Sequence, residues 1–109
     1  MIEALVGNPT AEKVLLYIVN YGEGHTSGIA ETFQLPKSQV RKQLLRLEHG
    51  GILVARNRGS VRSFSLNPRC LYRKELEALL QRVLHLLPRE TLEQFYRERR
   101  RPRRTGKPL

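Results

Sequence analysis

Between Lys37 and Leu47 the chain interleaves polar hydrogen-bonding and cationic side chains, Lys37, Ser38, Gln39, Arg41, Lys42, Gln43 and Arg46, with Val40, Leu44 and Leu47 at i, i+4 and i+7. That spacing predicts a helix with one apolar stripe and a cationic remainder. Ammonium and guanidinium groups bind anionic oxygens, and the amide of Gln39 and the fork of Arg41 can each make two directed hydrogen bonds. A second basic group, Arg56, Arg58 and Arg62, surrounds Asn57-Arg58-Gly59-Ser60, and a third, from Arg97 to Leu109, carries seven bases and one Glu. All three suit a polyanion.

Other chemistries lack their residues. His25, His49 and His85 stand 24 and 36 residues apart, without metal-ligand spacing, and a single cysteine, Cys70, allows neither an internal disulfide nor a Cys-based zinc cluster. Cys70 reads as a small packed residue, with a redox switch as its alternative. There is no Ser, His and Asp set, since the chain has no Asp, and no phosphate-cradling glycine loop or paired catalytic carboxylates. The expectation is therefore no enzyme activity, no metal and no cofactor.

Length and charge bound the rest. A chain of 109 residues with 39% hydrophobic composition supports one domain of modest core. Net charge is +10, distributed unevenly: residues 1–34 sum to −3, 35–66 to +6, 67–96 to +1 and 97–109 to +6. The partner implied is nucleic acid first and an anionic membrane surface second. No apolar run approaches the roughly 20 residues of a membrane span, and Met1 to Asn8 lacks a basic leader, so a soluble cytoplasmic protein is expected.

The positioning elements follow from periodicity and punctuation. Asn8-Pro9 opens a helix in which Ala11, Val14, Leu15, Ile18 and Val19 recur at helical spacing, and Gly22 closes it. Leu16 and Tyr17 make its second face apolar, which predicts a subunit contact there. A strand residue or two is placed at His25-Thr26-Ser27, with Thr26 or Ser27 capping a short helix that turns Ile29, Ala30 and Phe33 inward. Leu35-Pro36 ends it, Pro36 opens the basic helix, and Gly51 supplies its left-handed end. The runs 52–56 and 61–66 around the Asn-Gly turn predict a β-hairpin. From Leu71 a long helix carries Tyr72, Leu76, Leu79, Leu80, Val83, Leu84 and Leu87 on one stripe; Pro88 breaks it, and a last helix runs from Arg89 to about Arg100.

This order, mainly α with a small β-hairpin, is that of a winged helix-turn-helix. Ile29-Ala30, Leu35, Ser38, Val40, Leu44, Leu47-Glu48 and Gly51-Ile52-Leu53, followed by Asn57-Arg58-Gly59 and Phe64-Ser65-Leu66-Asn67-Pro68, resemble the DNA-binding core of ArsR-like and MarR-like regulators over residues 9 to 70. The helix from Leu71 is similar, more weakly, to the C-terminal dimerisation helix of ArsR-like proteins. The resemblance implies a transcriptional regulator, in the repressor sense, whose partner is double-stranded DNA. Lys37, Gln39, Arg41 and Lys42 are then placed for base edges in the major groove, Gln39 suiting adenine and Arg41 guanine. Ser38, Arg46, Thr26 and Ser27 suit phosphates, Arg58 a narrow minor groove, and Arg56 and Arg62 the flanking phosphates.

The division expected is 1–70 as the DNA-binding domain, 71–101 as dimerising helices and 102–109 as a basic disordered tail. A winged domain closes its own core, so the stripe of Tyr72, Leu76, Leu79, Leu80, Val83, Leu84 and Leu87, with Leu16 and Tyr17, reads as a homodimer interface. The alternative is an adaptor that docks a protein partner through residues 71–87. For the tail, an arm on DNA phosphates is preferred to an RNA-binding, membrane-surface or solubilising role.

Overall fold

The computed structural model describes residues 1–97. Helix α1 (Glu3–Val6) leads to α2 (Pro9–Tyr21), a two-residue strand β1 (Gly24–His25), α3 (Thr26–Phe33), α4 (Lys37–His49), the hairpin strands β2 (Leu53–Arg58) and β3 (Val61–Leu66), α5 (Arg73–Leu86) and α6 (Arg89–Thr91), which runs on into a π-helical turn, Leu92–Tyr96. The sheet is antiparallel in the order β1-β3-β2. The mainly helical fold with its small hairpin is the one expected, and four details differ from the expectation. Helix α1 carried no periodic signal. His25, held extended by pairing with Ser63, is the N-cap of α3, so Thr26 is its first helical residue and neither Thr26 nor Ser27 caps it. The hairpin turn shrinks to Gly59-Ser60, where Gly59 takes φ +66°, a conformation that suits glycine. The last helix is α-helical for one short turn only, and its continuation towards Arg100, like the tail, lies outside the described residues.

Helix α2 is the hub. Its start is fixed by Asn8, whose Oδ1 accepts from the Ala11 amide at 2.7 Å, with Pro9 at the first helical position. Asn8→Ala is expected to cost about 1 kcal/mol of stability, read as a lower urea midpoint at unchanged slope. Eight consecutive or near-consecutive positions of α2, from Thr10 to Ile18, are buried because α3, α4, β3 and α5 all pack around it. Its apolar character on every face is thereby accounted for within one chain. Leu16 and Tyr17, expected at a subunit contact, are instead 2% and 3% exposed in the chain's own core.

The same correction applies to α5. Leu80, Val83 and Leu84 are buried in a single cluster with Val14, Ile18, Ile29, Val40, Leu44, Leu53 and Phe64, so residues beyond 70 share the core of the first 70. A three-helix domain with a hairpin did not close its core alone; α5 supplies the side that α2 leaves open. Leu76, Leu79 and Leu87 are partly buried against it, whereas Leu71, Tyr72 and Leu86 stay on the surface.

The C-terminal turn is fastened to the end of α2. Asn20 Nδ2 donates to the Tyr96 carbonyl at 2.6 Å and the Tyr21 hydroxyl to the Phe95 carbonyl at 2.8 Å, capturing two acceptors at the chain's last described turn. Phe33 stacks against Phe95 and Tyr96 with ring centroids 5.1 and 5.8 Å away, joining this turn to α3. Burial, then the nearby Glu12 and Tyr21, push the Tyr96 phenol far above its ordinary pKa, so the ring stays neutral.

Candidate nucleic-acid interface

Helix α4 presents a divided surface. Val40, Leu44 and Leu47 point into the core, and Gln43 joins them at 8% exposure, although the spacing alone places it among the polar faces. Its amide is spent inside, accepting from Arg46 Nε at 2.9 Å. Helical geometry then sets Ser38, Lys42, Leu45 and His49 opposite the buried stripe, with Lys37 and Arg41 on one flank and Gln39 and Arg46 on the other. His49 is the exposed residue of that side that charge-led reading passes over, whereas Leu45 is half-buried and packs against the core.

The bases of residues 35–66 fall into two groups. Lys37, Arg41, Lys42 and Arg56 are exposed and have no hydrogen-bond or ion-pair partner among the described residues. Arg46, Arg58 and Arg62 are engaged within the chain. Arg46 reaches back to α1, donating from Nη2 to the Val6 carbonyl at 2.7 Å, where Gly7 at φ +115° leaves room for the guanidinium; a Cβ there would lie 3.0 Å from it. Arg58 Nε donates to Glu23 Oε1 at 3.0 Å, and Arg62 makes a fork with both oxygens of Glu48 at 3.2 and 2.8 Å.

Strand register explains this split. Arg56 pairs with Ser63 and Arg58 with Val61, so these four share one face, while Arg62, paired with Asn57, shares the other with Ala55 and Phe64. Phe64 is core, and Arg62 therefore lies just past the core's edge, its guanidinium 5.3 Å from the Phe64 ring and beside Glu48 at the end of α4. The three wing arginines thus do not form one face. Arg58 sits at the end of β2 rather than in the turn. Thr26 is half-buried and Ser27 exposed, at the N-terminal end of α3 where backbone amides are free for an anion.

Among the described residues no group of three or more His, Cys, Asp or Glu could hold a metal, and no helix is long and apolar enough to cross a membrane. Cys70 is free and half-buried.

No family model matches the chain, and no curated protein matches it. Solved structures do. The YusO protein from Bacillus subtilis is 24% identical at TM-score 0.55, covering 80% of this chain and 67% of its own. The AntR antimony-specific transcriptional repressor is 22% identical at TM-score 0.61, with 85% and 78% covered. The adhesin competence repressor AdcR from Streptococcus pyogenes is 16% identical at TM-score 0.55, with 79% and 72% covered. With the helix order and the three-stranded sheet, these likenesses establish that the chain has the winged helix-turn-helix fold.

Proposed function

We propose that the chain binds double-stranded DNA sequence-specifically as a homodimer and regulates transcription, as a repressor that occupies operator sites. The observation that carries this reading is the outer half of α4: Lys37, Ser38, Gln39, Arg41 and Lys42 are exposed and unpaired among the described residues, while the opposite stripe is clamped in the core. A helix fits the major groove, and its first turns bring Gln39 and Arg41 to base edges. Arg56 and the amide end of α3, with Thr26 and Ser27, face phosphates. Two of the structurally similar proteins are described as repressors, which agrees with this role.

Pairing of two copies rests on what the core leaves over. Leu71 is 99% exposed, Tyr72 and Leu86 are about half exposed, and Leu76, Leu79 and Leu87 are only partly covered, so the outer side of α5 and its approaches carry an apolar surface. A two-fold pair that reads successive major grooves needs its α4 helices about 34 Å apart, one DNA turn. Selection from a random duplex pool is expected to return a palindrome with that half-site spacing. Binding no tighter to any selected sequence than to random DNA overturns the reading. Light scattering decides between a stable dimer and the adaptor alternative, in which the chain stays monomeric until a protein partner covers α5.

The basic C-terminal tail is read as a sequence-blind arm. Removing residues 98–109 is expected to weaken cognate and random binding alike and to make the salt slope shallower by about 0.9 for each phosphate that is no longer neutralised. Complete loss of binding would transfer the function to the tail.

A further inference from the structure

Two glutamates stand within the basic surface, and each holds an arginine of the wing. Glu48, at the end of α4, takes the Arg62 fork on both of its oxygens, and Glu23, just before β1, takes Arg58 Nε and the Ser63 hydroxyl on the same oxygen at 3.0 Å each. The side chains of both pairs are well exposed: 53% and 37% for Arg58 and Glu23, 50% and 29% for Arg62 and Glu48. Pairs so wet contribute about 0–1 kcal/mol to folding, and Glu23 in addition satisfies the hydroxyl of the buried Ser63. Their effect on an approaching duplex is larger. A phosphate that takes either guanidinium must displace a carboxylate and then lie beside it, like charge against like charge.

That cost falls alike on cognate and random DNA, because a phosphate carries no sequence. Binding to non-cognate duplex is essentially all electrostatic, whereas a cognate site also gains the base-edge contacts of α4, which neither glutamate touches. We infer that Glu23 and Glu48 restrain duplex binding: by occupying Arg58 and Arg62 they lower affinity for operator and random sequence alike, and so hold the purely electrostatic, non-cognate complex at weak affinity. The inference rests on the DNA-binding function proposed above and adds to it two acidic residues that act against phosphate binding. Arg46 is held by a carbonyl rather than a carboxylate and plays no part in it.

The test uses the full chain and its Glu48→Gln and Glu23→Gln variants, titrated against the selected palindrome and a random-sequence duplex over a salt series. Each variant is expected to bind random duplex about threefold more tightly at low salt, with a slope of log affinity against log salt steeper by about 0.9, the signature of one more phosphate neutralised. Affinity for the palindrome is expected to rise by the same factor, leaving the ratio of cognate to random affinity unchanged. Unchanged slopes and unchanged affinities overturn the inference, and so does weaker binding to both duplexes with a lower melting temperature, which is the signature of pairs that only brace the wing. Should Glu48→Gln fail to fold, Glu23→Gln, on a loop rather than a helix, decides the matter alone. Failure of the unmodified chain to bind any duplex removes the proposed function itself, and the inference with it, before a variant is made.

Discussion

Replacing Arg41 by alanine is expected to weaken operator binding by about 1–3 kcal/mol, or about 5- to 140-fold, and to relax base preference at one position of each half-site. Arg41 stands on the exposed flank of α4, near its N-terminal end, with no partner among the described residues. Its removal therefore breaks nothing inside the protein, and thermal unfolding should move by no more than an exposed substitution does, within about 0.5 kcal/mol. The two measurements together discriminate. Loss of binding at unchanged stability, with altered preference at a single base pair, places Arg41 on a base edge. Equal weakening on every sequence, with a salt slope lower by about 0.9, places it on a phosphate instead.

The second large effect concerns architecture. Leu80 is fully buried, far along a helix that lies outside the segment resembling a DNA-binding core. Leu80→Ala is expected to cost about 2–5 kcal/mol, a large share of the roughly 5–15 kcal/mol that stabilises a domain of this size. In melting temperature this is a fall of at least about 8 °C, whereas Gln81→Ala, one residue on and exposed, should leave the transition where it was. A single cooperative transition that shifts as a whole shows α5 to be part of the winged unit. Unfolding of α5 apart from an unmoved main transition would show the reverse.

Much of this fold was legible because its signals are local. Asn8-Pro9, Leu35-Pro36 and Gly59 punctuate the chain through backbone chemistry that acts within a residue or two, and the i, i+4, i+7 stripe of α4 follows from helical pitch alone. What stayed hidden depends on partners distant in sequence. Leu16 and Tyr17 look surplus until α3 and the C-terminal turn are laid against α2, and no periodicity within residues 71–87 says which of its leucines will join Ile18 in the core rather than meet another molecule. The candidate interface divides in the same way. Exposure of Lys37, Gln39, Arg41 and Lys42 could be read from spacing. The commitments of Arg46 to Val6, Arg58 to Glu23 and Arg62 to Glu48 span 40, 35 and 14 residues and depend on a strand register and a four-residue helix that no local pattern announces. Gln43 is the instructive miss, since a polar side chain at the border of a stripe can be drawn inside by a neighbouring arginine.

The way α2 is enclosed sets a mechanical condition on the whole molecule. With one continuous core running from α3 and α4 through α2 to α5, and the final described turn tied back by Asn20, Tyr21 and Phe33, the described residues hold no hinge about which the reading head could swing. In the homodimer proposed above, grip on DNA would therefore change as a calliper's does, through the separation and tilt of two stiff halves.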